Sequence, residues 1–443
     1  MSPTLRLLVV TASLCALPKA RPADAQPVTL RSGVVIDTVH AVSDTSQTYA
    51  LYVPSAYDKS RRWPVLLLMD PRGRALVPMR LFRSAAERHG FIVMSSYQTQ
   101  SDGPVEPNDR AMNAMLADAV SRFSVDARRF YFGGFSGTGR IAWNYAYSIP
   151  ENVAGVIEVG AGLPAPDLLL QKKVAQTPTP FVVFLGVGST DFNYAEVLAL
   201  NSKLDAFGIR HHLTTFDGPH AWPPESVCAE AVTWLQLQAM RDGRLAANQS
   251  WIDSVFTAAR LAIDSVALID PYSAALLYRQ TAADYAGLHK TDAIEAAAVR
   301  LAESDLSKRS AKRIARLADD EQEFEKREEK FLSDFARNDK PPTISQLRSE
   351  LDLDDVQQRA SRTTDRLDAV SAQRLLASIL VRASFYEPRR YLAAGDTLKA
   401  LTMFALAQSI QPENTQLCAE RDRIYRLFAS RKSVARELAC ETK

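Results

Sequence analysis

Glycine is nearly missing from the second half of this 443-residue chain: of 18 glycines, 16 precede residue 245 and only Gly287 and Gly395 follow. A stretch so poor in the residue of tight turns excludes a loop-rich second half and favours uninterrupted helices. Cysteine is also scarce, and four in so long a chain exclude a disulfide framework. An excess of one charge is lacking too. With 53 basic against 51 acidic residues, the formal +2 removes the electrostatic case for a nucleic-acid or anionic-membrane partner. No apolar run reaches the roughly 20 residues of a membrane span. No group of side chains has zinc-ligand spacing, and no metal or organic cofactor is implied. What is there, 47% hydrophobic and 23% charged, is the composition of folded globular protein, long enough for two or three domains.

The first residues carry a basic start at Arg6, an apolar run from Leu7 to Leu17 and the small-x-small exit Ala23-Asp24-Ala25 before Gln26. These are the parts of a secretory signal peptide spanning 1–25, with cleavage expected after Ala25. A lipoprotein signal at Cys15 is excluded by Leu14, which stands where a small residue would be needed. Removing the leader takes away Arg6, Lys19, Arg21 and Asp24 and leaves 50 basic and 50 acidic residues. The expected location is secreted or periplasmic, an oxidising setting for Cys228, Cys418 and Cys440. Cys418 and Cys440 lie on what read as consecutive helices, where a disulfide or two buried thiols would both fit.

Residues 26–245 alternate short apolar, β-branched runs with amphipathic stretches. Extended segments at about 28–39 and 47–53 precede the strands Val65–Met69, Phe91–Ser95, Arg129–Phe132, Gly155–Val159, Phe181–Gly186 and Arg210–Phe216. Helical stretches at about 77–88, 107–122, from 137, from 194 and after the last strand separate them. Strands alternating with helices of this length indicate an α/β fold, a doubly wound and mostly parallel sheet covered on both faces. Functional residues are then expected on loops at the carboxyl ends of the strands. Residues 246–443 read as an all-α domain. From Glu303 to Arg337, 19 of 35 residues are charged, yet Ile314, Leu317, Phe324, Phe331 and Phe335 recur at helical spacing. That is a long helix with a narrow apolar stripe, and its charges read as a solvated face.

The run Phe132-Gly-Gly-Phe-Ser136-Gly-Thr138-Gly139 ends a strand and opens a helix. A serine on so sharp a turn is forced outward above the sheet edge, and the Gly137 amide behind it is placed to donate to an oxyanion. Thr138 stands at the second glycine position of the Gly-x-Ser-x-Gly pattern, with Gly139 one residue late. A serine nucleophile needs a base, and the base an orienting acid. Asp191 follows the next-to-last strand and His220 the last, so the chain order is Ser136…Asp191…His220. Rival acids are Asp217, in the histidine's own loop, and Asp70, on the wrong strand. Of His211 and His212, inside the last strand, at least one reads as packing. A second oxyanion amide is expected from Arg72 or Gly73, because Pro71 has no N–H. Trp222 and Tyr194, beside the three residues, could line a pocket or belong to the core. The short stretch between the strand ending near Gly162 and the one starting at Phe181 leaves no room for a large lid, so an open site is expected.

These residues resemble the serine hydrolases of the α/β-hydrolase superfamily, in particular carboxylesterases of the polyhydroxybutyrate-depolymerase, feruloyl-esterase and dienelactone-hydrolase type. The resemblance covers about 45–240 and is carried by Tyr49–Pro54, Leu66–Gly73, Gly134–Gly139, Gly188–Asp191 and Gly218–Pro224. It implies Ser136 as nucleophile, Asp191 as acid, His220 as base and a small ester as substrate. Dienelactone hydrolases proper use a cysteine nucleophile, so their substrate does not carry over. Near the other end, Tyr391, Gly395, Ala400, Phe404, Ala407 and Pro412 resemble a tetratricopeptide unit over 381–414, with Pro388 altering its first helix. Such a unit implies a peptide or protein partner; a helical appendage that covers or dimerises the hydrolase is the other reading. A peptidase of the same fold and a catalytically silent interaction protein are the alternatives to an esterase.

Overall fold

The computed structural model describes residues 31–163, 179–338, 340–362 and 364–429. The expected leader, 1–25, and Cys440 lie outside the described residues. Cys418 is disulfide-bonded and Cys228 is a free, buried thiol.

The described strands are β1 (Val35–His40), β2 (Thr48–Tyr52), β3 (Trp63–Met69), β4 (Ile92–Ser96), β5 (Val125–Phe135), β6 (Val153–Val159), β7 (Val182–Gly188) and β8 (His211–Phe216). They form one sheet in the order β1-β2-β4-β3-β5-β6-β7-β8, antiparallel at β1–β2–β4 and parallel from β4 onward. β3 shows why its sequence is an unbroken apolar run, since all seven residues are buried. Val65, Leu67 and Met69 face one core with Met112, Trp143 and Leu200, which come from α2 (Glu106–Arg122), α3 (Gly137–Ser148) and α4 (Tyr194–Ala206). Leu66 and Leu68 face the other with Phe82 and Leu235, from α1 (Leu76–His89) and α5 (Glu225–Arg241). A strand buried on both faces has no reason to alternate with polar residues. The fold is thus α/β, doubly wound and mostly parallel, and an all-α region follows it.

That region runs through α6 (Gln249–Ala267), α7 (Pro271–Tyr285), α8 (Asp292–Glu303), α9 (Asp305–Arg337), α10 (Ile344–Glu350), α11 (Leu353–Ala360) and α12 (Arg366–Val381). A π-helical segment, Arg382–Tyr386, leads into α13 (Glu387–Ala393), α14 (Thr397–Ile410) and α15 (Thr415–Ala429). Many starts are written locally. Asn248, Asp270, Ser304, Thr343, Asp365 and Asp396 each accept the backbone N–H three residues on, and Thr343 with Gln346 completes a capping box. Leu237 and Met240 of α5 pack with Ile252, Phe256, Tyr278 and Tyr285, so the helical region grows directly out of the last helix over the sheet. No helix among the described residues is long and apolar enough to cross a membrane.

One feature corrects the sequence reading. The charges of α9 are not all solvated: Glu321 and Glu328 are buried against α12, where Ser371 and Arg374 bind the first and Ser378 the second. Edge strand β8 is also covered, because the Gln280 side chain of α7 bonds both backbone groups of Leu213, the N–H at 3.2 Å and the C=O at 3.1 Å. This occupies an edge that would otherwise invite pairing with another chain.

Beside it, His212 joins sheet to helices through Nδ1, 2.8 Å from Asp284 Oδ2, and Nε2, 3.0 Å from Glu230 Oε1. Burial opposes the imidazolium, but Asp284 and Glu230 outweigh it and lift the His212 pKa from 6.5 to about 9. A raised histidine pKa stabilises the fold fully below the ordinary value, and that stabilisation fades as pH rises through the folded one. The melting temperature is therefore expected to fall across that window, and to fall less in His212→Gln. Identical pH slopes in thermal unfolding of the two proteins would exclude a charged His212.

Candidate active site

Ser136 leaves β5 with φ 56° and ψ −133° and hands the chain to α3 at Gly137. A non-glycine residue at positive φ is strained, and here its N–H is held by Val159 O at 2.8 Å. The turn closes only around small residues: a Cβ at Gly134 would overlap the Thr138 carbonyl, and one at Gly137 would stand 2.5 Å from Ser101 Cβ. Thr138, the departure from the serine motif, is fully buried. Its hydroxyl lies 2.8 Å from the carbonyls of both Met69 and Phe135 and accepts the Phe135 N–H at 3.2 Å. The extra side chain thus ties the serine turn to the end of β3.

The loops after β7 and β8 bring Asp191 and His220 to this turn. His220 Nε2 is 2.9 Å from Ser136 Oγ, and Nδ1 is 2.9 Å from each carboxylate oxygen of Asp191. Asp191 is 0% exposed and also accepts the Asn193 N–H at 2.8 Å. The imidazole lies between two phenyl rings, with centroids 4.5 Å away at Phe135 and 4.3 Å at Phe192. One side chain, shared between a serine hydroxyl and a buried carboxylate, can take a proton from the first while the second holds its ring in one orientation.

The rival acids have other partners. Asp217 accepts from Ser189 Oγ at 3.2 Å and lies 3.3 Å from Arg366, with its side chain 78% exposed. Asp70 is buried and organises the loop after β3. Its carboxylate accepts the N–H groups of Arg72 and Arg74, the Arg74 guanidinium and the Trp222 indole N–H at 2.9 Å. Burial opposes its charge, but the bonds from Arg74 and Trp222 prevail and hold its pKa below the usual carboxylate value.

In this arrangement the two amides expected to serve an oxyanion already have acceptors. The Arg72 amide is occupied by Asp70 Oδ1 at 2.8 Å and the Gly73 amide by Asp70 O at 3.1 Å. Gly137 differs, because the first N–H groups of a helix have no intrahelical acceptor. Trp222 lines the cleft at Ser136, whereas Tyr194 does not: its ring lies under the Arg374 guanidinium, 4.4 Å away, and Phe192 faces the cleft instead.

The cleft is half-enclosed, where the sequence reading expects an open site. Its volume is about 940 Å³, and Phe135, Ser136, Phe192, His220 and Trp222 form one side. The opposite wall comes from the helical region, with Leu380, Phe385, Tyr386, Arg389 and Leu417. Pro388 explains the shape of that wall. It has no N–H for the Ser384 carbonyl, and the helix widens over Arg382–Tyr386, where the Glu387 N–H bonds Arg382 O five residues back.

Three contributors carry no motif and escaped the sequence reading. Phe192 is one residue from Asp191 but reads as generic core. Gly160 follows β6 at φ +61°, and a Cβ there would stand 2.9 Å from Asp191 Oδ2 and 3.2 Å from His220 Nδ1. Glu158, also on β6, is completely buried and accepts the Trp143 indole N–H of α3; burial raises its pKa well above the usual value. It supports the serine helix through that bond.

No family model matches the chain, and no curated protein matches it. Among solved structures it is similar to the substrate-bound Staphylococcus aureus fluorophosphonate-binding serine hydrolase FphF, with 15% identity and a TM-score of 0.40 over 46% of this chain and 99% of that one. A ferulic acid esterase has 17% identity and a TM-score of 0.38 over 47% and 98%. The S-formylglutathione hydrolase FrmB of S. aureus has 16% identity and a TM-score of 0.38 over the same shares. By its own strand order and its strained serine turn between β5 and α3, the sheet-bearing part of the chain has the α/β-hydrolase fold.

Proposed function

We propose that this protein is a serine hydrolase of carboxylic esters, with Ser136 as nucleophile, His220 as general base and Asp191 as the group that orients it. The observation that carries this reading is the continuous path from Ser136 Oγ to His220 Nε2 and from Nδ1 to Asp191, 2.9 Å at each link. As Ser136 Oγ attacks the ester carbonyl, its proton passes to His220 Nε2. The tetrahedral oxyanion is held by the Gly137 N–H at the start of α3. A second donor from the β3 loop requires Asp70 to release the Arg72 or Gly73 amide. His220 then returns the proton to the departing alcohol, leaving an acyl group on Ser136. Water, deprotonated by His220, attacks that acyl carbonyl and restores the serine.

The cleft volume, within the range of small-molecule pockets, favours a compact ester over an extended polypeptide. The helical region acts in this reading as a cover for the site, in preference to a free-standing peptide receptor. The leader read in residues 1–25 places the reaction outside the cytoplasm.

A fluorophosphonate probe tests the reading. Labelling is expected in the native protein and its loss in His220→Ala; undiminished labelling of that variant would remove the base from the scheme. The intact mass of the labelled, exported protein should correspond to a chain beginning at Gln26, and a mass retaining residues 1–25 would overturn the leader.

A further inference from the structure

The helical region meets the candidate site through the wall of the cleft, through the exposed pair Arg366–Asp217 in the histidine loop, and through one largely buried side chain behind the acid loop. That side chain is Arg374 of α12. Its Nε donates to Glu321 Oε2 at 3.0 Å, and a terminal nitrogen pairs with Glu321 Oε1. Its other terminal nitrogen donates to the Ser189 carbonyl at 2.9 Å, and its guanidinium plane lies over the Tyr194 ring at 4.4 Å. Glu321 is itself held by the fully buried Ser371 hydroxyl at 2.5 Å. The guanidinium is therefore anchored on the helical side and reaches across to the loop between β7 and α4.

Ser189 is where that loop and the histidine loop are joined. Its N–H bonds Phe216 O at 2.7 Å, and its hydroxyl bonds Asp217 Oδ1 at 3.2 Å and accepts the Gly218 N–H at 3.4 Å. The next residue, Thr190, donates its N–H to Gly218 O at 3.0 Å, and Asp191 follows. Arg374 thus fixes Ser189 from one side and Tyr194 from the other, with Asp191 and Phe192 in between. A flat, five-donor cation can pair a carboxylate, bind a carbonyl and stack on a ring at once, which an ammonium cannot.

We propose that Arg374 is a positioning residue for the acid–base pair, so that the helical region is a working part of the site as well as its wall. The proposal rests on the functional reading above. Arg374 contacts no reacting atom; it acts by holding Asp191 and Phe192 against His220. A misplacement of about 1 Å in such a constellation costs about a hundredfold in rate.

The test uses the full chain and short p-nitrophenyl esters. Removing the cation alone leaves the buried Glu321 charge with only the Ser371 hydroxyl, so the informative variant is the double substitution Arg374→Met with Glu321→Gln, which removes both charges together. The expected result is a kcat lower by about tenfold to a hundredfold with KM within about threefold, together with partial recovery of kcat in the single variant Arg374→Lys. A double variant that keeps the native melting temperature and native kcat would overturn the proposal. So would a loss of kcat that follows the loss of folded protein and no more. If the native protein itself is not labelled by the fluorophosphonate probe, the functional reading fails; labelling of the native protein with unchanged kcat in the double variant fails the proposal alone.

Discussion

Ser136→Ala is expected to lower turnover of a short p-nitrophenyl ester by about a thousandfold or more, with little change in stability. The size follows from the geometry. Ser136 Oγ is the oxygen 2.9 Å from His220 Nε2, so its removal leaves the proposed base without the proposed nucleophile to activate. Residual turnover would come from water working against the Gly137 amide and the cleft walls. Stability is expected to hold because the strain at φ 56° belongs to the backbone, and alanine inherits it without losing an internal hydrogen bond that the fold depends on. Steady-state kinetics of the purified variant decide the point. Activity within tenfold of the native protein would assign hydrolysis to another group.

Gly160→Val is expected to abolish most activity without touching any of the three proposed catalytic residues. Gly160 is at φ +61°, where a β-branched residue is strained by about 1–3 kcal/mol. Its Cβ would also stand 2.9 Å from Asp191 Oδ2, 3.1 Å from Phe135 Cε2 and 3.2 Å from His220 Nδ1. The backbone cannot retreat freely, because the Gly160 N–H bonds Gly186 O and its carbonyl accepts from Asn193 Nδ2, both at 2.8 Å. The acid–base pair must therefore move, and kcat should fall by about a hundredfold or more. Gly208 supplies the control. It has φ +65° with nothing within 4 Å of a Cβ, so Gly208→Val should share the backbone strain and keep its activity. Equal losses of kcat in the two variants would mean that strain, and not the crowding of Asp191 and His220, is responsible.

The contrast between Ser136 and Gly160 shows what was legible in the residues. Ser136 announces itself because its constraints are local: glycines at 134 and 137, an apolar strand before and a helix after all lie within a few residues. Gly160 looks like one small residue among many at a strand end. The atoms that forbid a side chain there come from residues 135, 191 and 220, and only folding brings them together. The bonding of the expected oxyanion loop is hidden from the sequence for a related reason. Asp70-Pro71-Arg72-Gly73 has the amides in the expected place, but Asp70 captures them through its carboxylate and its carbonyl, and that bonding pattern is a property of the closed loop.

The helical region divides in the same way. The long amphipathic helix α9 is read from spacing alone, because its period acts over one or two turns, and Ala400 and Ala407, which are buried, stand where the tetratricopeptide resemblance has small residues. The region's relation to the sheet is not readable. The short link before β7 argues for an open site, yet the wall arrives from Phe385 and Tyr386, far along the chain, and Glu321 looks like one more surface acid until it meets Arg374.

By itself, then, the sequence determined the alternation of strands and helices, the serine turn and the order of serine, acid and histidine, since each depends on residues near one another in the chain. Tertiary structure alone decided which carboxylate meets the imidazole, which amides remain free at the serine and what covers the cleft. Those outcomes depend on contacts between distant segments, and a pattern of neighbours carries no information about which distant groups will compete for the same donor.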